Sequence, residues 1–232
     1  HARAPAARPG APGAVRAIQT ARNEGDRQLA QPVIEDWYSI RSSFTYLGAE
    51  RLGALAARHG RRIEHRPMLL SIVVPGTGGI PFGERHPARL QQAWDDLLRY
   101  ADYLEIPIQQ TDPVHHMGPM ELPSGMPLAA ARAGLDADRL SLQIHAALWR
   151  DDRDIADPAV IDAICEDLGM DGPRLRAVAL SEGIQTEILE NSEEAVRRGY
   201  IGSPTYVVDG QAFYGQDRLF MVERALQATG AS

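Results

Sequence analysis

The sequence predicts an α/β fold in two separated halves, a strand–helix–strand unit near its start and a β-hairpin running into a helix at its end. A block of helices lies between them. Three observations carry this expectation. β-formers gather at 33–40 and 62–68, on either side of a stretch with helical spacing. Thr205–Val208 and Gln211–Tyr214 flank Asp209-Gly210, a hairpin turn signal. Between 87 and 198, most segments repeat apolar residues with helical period, and proline and glycine mark the breaks.

Composition narrows the function classes. A chain of 232 residues, 44% hydrophobic and 24% charged, buries a real core as one domain with a large insertion or as two small domains. No apolar run reaches the length of a bilayer-spanning helix, and a net charge of −7 disfavours nucleic acid as a partner. All 24 basic residues are arginine, so a lysine base or Schiff base is excluded. Cys165 is the single cysteine, which rules out a disulfide or a Cys-x-x-Cys redox pair within the chain. Its helical spacing with the apolar residues of 160–168 makes it a buried structural thiol rather than a nucleophile.

Residues 1–30 carry five arginines against Glu24 and Asp26, whereas the rest of the chain holds 19 arginines against 29 acids. This basic segment reads as an arm that lies on the acidic body or on a neighbouring subunit, or as simple disorder. The first strand covers 33–40, behind Pro32. Ser42 or Ser43 then caps a helix over 44–59, in which Phe44, Leu47, Leu52, Leu55 and Ala56 share a face, and Gly60 stops it. A hydroxyl at that turn lies beside free N–H groups and the positive end of the helix dipole, where a thiolate is stabilised; the plain alternative is a cap alone. A second strand over 62–68 pairs with the first in parallel. The run 75–81, Pro-Gly-Thr-Gly-Gly-Ile-Pro, lacks the Gly-Lys-Ser ending of a phosphate loop and reads as a surface loop.

Helices follow over 87–104, 126–133, 138–149, 158–168, 174–180 and 182–198, with Asp157-Pro158 and Gly172-Pro173 as start signals. The long connection after the first of them carries His115-His116. Adjacent histidines do not face one metal on a helix, and no carboxylate or further histidine stands at ligand spacing, so no metal site is expected. The last hairpin is entered through Ser203-Pro204. Gly215-Gln216-Asp217-Arg218 then opens a helix with Leu219, Val222 and Leu226 on one face, so that Ser203 and the 216–217 helix start converge on one small polar ligand. Together the pieces make a thioredoxin-like sheet, 31–84 with 199–232, carrying an all-helical insertion over 85–198.

Five runs stand in a telling order: Trp37-Tyr38-Ser39-Ile40-Arg41-Ser42-Ser43-Phe44-Thr45-Tyr46-Leu47; Arg66-Pro67 with Leu69-Leu70; Trp149-Arg150-Asp151-Asp152-Arg153-Asp154-Ile155-Ala156-Asp157; Gly202-Ser203-Pro204-Thr205; and Gly215-Gln216-Asp217-Arg218-Leu219. Over residues 33–228 the sequence resembles the 2-hydroxychromene-2-carboxylate isomerase family and its relatives, the kappa-class glutathione transferases and DsbA-like proteins. The resemblance implies a DsbA-type or kappa-type fold and a glutathione-dependent cis-trans isomerase working by reversible thiolate addition. In that reading Ser42 faces the sulfur of bound glutathione. The backbone of Ser203 holds the cysteinyl part, and Pro204 is expected to be cis. Gln216 and Asp217 hold the γ-glutamyl end, with Asp217 on its ammonium. The thiol belongs to the cofactor, so no metal and no protein cysteine are needed. Glutathione and a small aromatic-pathway acid are the implied partners, with no nucleic acid and no membrane, in a cytoplasmic homodimer. The same resemblance leaves open a kappa-like transferase or peroxidase, and a redox-inactive DsbA-like binding protein.

Three residues depart from the family pattern. Ser43 replaces the usual proline after the serine, Gly79 follows Thr77-Gly78 where an asparagine is usual, and Ser39 stands where aspartate is common. The change at Gly79 removes a side-chain amide expected to reach glutathione or substrate.

Overall fold

A computed structural model describes residues 32–229. The expected arm, 1–30, lies outside the described residues. β1 (Val33–Tyr38) leads through α1 (Ser43–Arg58) to β2 (Arg62–Pro67), and α2 (Leu70–Gly76) follows. The block contains α3 (Pro87–Tyr103), α4 (Glu121–Arg132), α5 (Ala137–Trp149), α6 (Pro158–Asp167), α7 (Gly172–Ala179) and α8 (Glu182–Arg198). β3 (Thr205–Val208), β4 (Gln211–Tyr214) and α9 (Leu219–Thr229) close the described chain.

The four strands form one sheet in the order β2-β1-β3-β4. β1 and β2 are parallel, with Val33 opposite Arg62, whereas β3 runs antiparallel to both β1 and β4. The β3–β4 turn places Asp209 at φ 47° and Gly210 at φ 83°, the two positive values that a twist-matched two-residue hairpin needs. This is the thioredoxin-like DsbA fold, a mixed sheet with helices packed on it and inserted into it.

Alternation along β1 divides its side chains between two cores. Ile34 faces α1 and α9, where it packs with Leu52, Leu55, Tyr206, Val208, Leu219, Val222 and Leu226. Trp37 faces the other way, onto Met68, Val73, Ala195, Tyr200 and Val207, so α2 and α8 cover that side. A third core joins the strand–helix–strand unit to the helical block. Tyr38, Ile40 and Leu47 meet Met126 of α4, Leu140, Ile144 and Leu148 of α5, and Ile161 of α6. Each such aliphatic side chain contributes about 1.5–3 kcal/mol on full burial. The helical block is thereby tied to the end of β1 and the start of α1, the region in which Ser42 lies.

Two expectations need correction. Residues 75–76 belong to α2 rather than to a loop, with Pro75 in its last turn. A Cβ on Gly76 would come within 2.7 Å of Val196 Cγ2, so this end of α2 is pressed against α8. Secondly, α4 begins at Glu121, ahead of the expected 126, and includes both Pro123 and Pro127. Pro123 is tolerated in the first turn, whose N–H groups lack intrahelical partners anyway. Gly125 between them lets α4 approach the end of α7, since a Cβ there would lie 2.4 Å from Ala179 O. Among the described residues no helix is long and apolar enough to cross a membrane.

Candidate active site

Ser42 has extended backbone geometry (φ −77°, ψ 118°), and its Oγ accepts the Thr45 N–H at 3.3 Å, which caps the 16-residue α1. The hydroxyl donates in turn to the Ser203 carbonyl at 3.3 Å. Ser203 precedes a cis peptide bond to Pro204. Its own hydroxyl accepts the Ser39 N–H at 2.8 Å and shares a 2.8 Å hydrogen bond with Thr45 Oγ1. The Ser203 N–H has no partner among the described residues. The end of β1, the first turn of α1 and the entry to β3 therefore meet at one point, with a free N–H and a helix N-terminus beside the Ser42 hydroxyl.

From there the site continues along the backbone. Gly215 donates its N–H to Pro204 O at 2.9 Å. Gly215 has φ 98°, and a Cβ on it would lie 2.4 Å from Asp217 Oδ1, so only glycine lets the acidic residue fold back there. Gln216 is buried, and its Oε1 accepts from Arg51 of α1 at 2.7 Å. Its Nε2 donates to nothing among the described residues. Asp217 remains partly exposed and is paired with its neighbour Arg218. Ser42 and Ser203 are thus in direct contact, and Pro204 joins them to the 215–217 turn. Among the described residues no hydrogen bond links Ser42 to Gln216 or Asp217 themselves.

Gly79 is fixed by packing. Its N–H donates to Val74 O at 2.8 Å, and a Cβ would come within 2.9 Å of Val74 Cγ1 and 3.0 Å of Val74 O. The amide expected from asparagine has no room there unless the end of α2 shifts. Cys165 is buried, and burial pushes its thiol up to about 11, which keeps it protonated and unreactive at neutral pH.

Several polar residues escaped the sequence reading. Thr45 and Arg51 have a local signal, since they lie three and nine residues after Ser42 on the same helix. A buried set beneath them has none. Tyr38 Oη lies 3.0 Å from His65 Nδ1 and receives Ser141 Oγ–H at 3.2 Å, while His65 Nε2 lies 2.8 Å from Asp138 Oδ1. In a neutral His65 ring the Nε2–H donates to the carboxylate, so Nδ1 accepts from Tyr38. Asp36 sits between His65 and Tyr206 across the sheet, 5% exposed, with Oδ1 unpartnered among the described residues. Burial raises its carboxyl to about 7, against the lowering pull of His65, and Asp138 adds to the rise. His145, fully buried with Nδ1–H donating to Ser141 O at 2.8 Å, is lowered to about 4, chiefly by burial. The expected absence of a carboxylate near His115-His116 also needs correction: Asp112 Oδ1 lies 2.7 Å from His116 Nδ1, because the chain turns between them. No group of three or more metal-binding side chains occurs among the described residues.

Comparison with known proteins places the fold. The chain is 29% identical over 197 residues to a 2-hydroxychromene-2-carboxylate isomerase of Sphingobium xenophagum, covering 83% of this chain and 97% of that one. It is 26% identical over 205 residues to human glutathione S-transferase kappa 1, covering 83% and 90%. Among solved structures, a 2-hydroxychromene-2-carboxylate isomerase superposes with a TM-score of 0.73 at 24% identity, over 86% of this chain and 99% of that one. The model of the DSBA-like thioredoxin domain matches residues 33–227. The chain therefore belongs to the DSBA-like thioredoxin-domain family.

Proposed function

We propose that the protein is a glutathione-dependent isomerase of small unsaturated acids, of the 2-hydroxychromene-2-carboxylate kind. One observation carries the reading: the Ser42 hydroxyl, at the N-terminus of α1, touches the backbone of Ser203 beside an unpaired N–H, in a site with no protein thiol. Three features fit a bound tripeptide thiol. Among the described residues the Ser203 N–H has no partner and is open to a peptide carbonyl, the buried Gln216 Nε2 has no acceptor, and the Asp217–Arg218 pair lies at the surface. Exposed pairs of that kind contribute about 0–1 kcal/mol, so the Asp217 carboxylate is readily exchanged onto an ammonium.

When bound, glutathione supplies a thiolate that adds to a conjugated double bond and leaves again after rotation about the resulting single bond, so that substrate and product share one mass. The residues of this chain prepare that step. Ser42 turns its O–H from Ser203 O toward the sulfur, and the dipole of α1 favours the anion, which together lower the thiol pKa. Ser203 fixes the peptide backbone, and Gln216 with Asp217 fixes the amino-acid end. Ser39 and Thr45 hold the Ser203 side chain in place.

Calorimetric titration with glutathione tests the reading. Measurable binding is expected, weakened about tenfold by Asp217→Ala through loss of a charge-assisted contact. Ser42→Ala acts mainly on thiol ionisation and turnover. Absence of binding by the unmodified protein overturns the proposal. The similarity to a glutathione transferase favours a second reading with the same site, and a product heavier by one glutathione selects it.

A further inference from the structure

The residue before Ser42 is unlike a surface arginine. Arg41 donates Nη2–H to Gly118 O at 2.7 Å, which pins the loop before α4 to the turn that carries Ser42. Its Nε is buried and has no partner among the described residues. Arg41 is only partly exposed, and burial, the largest influence, holds its guanidinium below the usual arginine range. Of the five N–H donors in the guanidinium fork, the described residues engage one.

The loop that Arg41 holds brings an aromatic wall with it. The His116 ring stands 4.8 Å from Trp149 and 5.9 Å from Phe82, both edge-on. Trp149 is 2% exposed, yet its Nε1–H has no acceptor among the described residues. Around this ladder, Phe82, Ile80, Val114 and Met117 are exposed apolar residues on the same two loops. A cation with spare donors, flat rings and an apolar rim thus gather one residue away from the hydroxyl assigned to the thiol. Three anionic groups face this place: Glu121, the acid that acts on Arg41, Asp112, which is engaged with His116, and Asp154, whose carboxylate lies beside Gly118 and His115.

We propose that Arg41 is the specificity-determining residue of the site, binding the carboxylate of a conjugated acid whose flat unsaturated part lies against the exposed ring of Phe82, which the buried His116 and Trp149 back. Arginine suits this task because its planar fork takes two carboxylate oxygens at once, which fixes direction as well as charge. The assignment rests on the glutathione reading of Ser42 for its reaction, though not for the binding of the acid.

The test uses trans-cinnamate and its neutral isostere trans-cinnamamide as probes, titrated calorimetrically with and without glutathione. The unmodified protein is expected to bind the acid about tenfold more tightly than the amide, with the preference falling as salt is added. Arg41→Gln is expected to bring the two probes within about twofold of each other, and Arg41→Lys to restore part of the difference, since lysine keeps the charge and loses the fork. Equal binding of acid and amide by the unmodified protein, no binding of either, or a preference that survives Arg41→Gln overturns the proposal. Should Arg41→Gln fail to fold, the preference of the unmodified protein and its salt dependence still decide. Failure of glutathione to bind removes the isomerase reading and leaves the acid-to-amide ratio, measured without glutathione, to decide the role of Arg41.

Discussion

Two polar regions share β1 and behave in opposite ways. At the junction of β1 and α1, Ser39, Ser42, Thr45 and Ser203 form hydrogen bonds of 2.8 and 3.3 Å around a helix end and the Ser203 N–H, which has no partner among the described residues. Beneath it, Asp36, Tyr38, His65, Ser141 and His145 are shut away from water. The upper region consists of hydroxyls that do not titrate near neutral pH, and its Ser203 N–H has no partner among the described residues. The lower one contains groups whose ionisation burial opposes, so burial costs stability whenever solution pH favours the charged form. A polar cluster with unspent donors thus leaves room for a partner, whereas one that is sealed makes stability depend on pH.

The largest expected effect comes from the sealed region. The Asp36 carboxyl is raised from an ordinary 3.8 to about 7. The folded protein therefore retains a proton that the unfolded chain releases. The associated stability is fully present below pH 3.8 and is lost as pH rises through about 7. Asp36→Asn, which mimics the protonated form, is expected to match the unmodified protein near pH 4 and exceed it by about 4 kcal/mol at pH 8. His145 sets the opposite limb. Its ring stays neutral down to about 4 against an ordinary 6.5, so this stability is present above pH 6.5 and lost as pH falls through about 4. The acid limb should persist in the Asp36 variant. Urea denaturation across pH 4–8 checks both, and parallel curves for the two proteins would place Asp36 outside any titration in this range.

Gly48 lies where the two regions touch. A Cβ on it would fall 2.3 Å from Tyr206 Oη on the sealed side and 3.0 Å from Gln216 Cβ on the open one. Alanine usually gains nearly 1 kcal/mol over glycine inside a helix. Here overpacking should win, giving a net loss of about 1–3 kcal/mol for Gly48→Ala. Adding Tyr206→Phe removes the clashing oxygen and should recover much of that loss. A stabilised Gly48→Ala protein would mean that the two regions are not in mechanical contact.

How legible each region was in the sequence follows from the same distinction. Ser42, Ser203-Pro204 and Gln216-Asp217 announce themselves locally, as a helix cap, a proline-led strand and a helix start. The paired strands and the hairpin were readable for that reason, since turn chemistry and β-formers are contiguous. The sealed set is assembled from pieces of β1, β2 and α5. Tyr38 and Ser141 meet across 103 positions, and His65 and Asp138 across 73. Each of those residues alone is an ordinary polar side chain, and no spacing rule brings them together. Arg41 was overlooked for a related reason: its meaning comes from Gly118 O, 77 positions away. Pro75, Pro123 and Pro127 misled in the other direction, because a proline in the sequence does not reveal whether its missing N–H falls in a first turn, a last turn or a packed interior.

The smallest effect on stability separates the two roles assigned to Ser42. As an N-cap it accepts the Thr45 N–H, and Ser42→Ala should cost about 1 kcal/mol for that reason alone. A loss of activity in that variant is therefore ambiguous. Ser42→Asp resolves it, because aspartate caps as well as serine does and suits the positive end of α1, so that only the hydrogen bond to Ser203 O is lost and stability should fall by no more than the alanine variant's, about 1 kcal/mol. The carboxylate, however, has no hydrogen to donate and repels a thiolate. If Ser42 serves the sulfur, Ser42→Asp should raise the pKa of bound glutathione, followed by thiolate absorbance in the ultraviolet, and abolish turnover in a protein that melts no lower than the alanine variant. Unchanged ionisation and turnover in the aspartate variant would reduce Ser42 to a cap and return the upper region to plain structure.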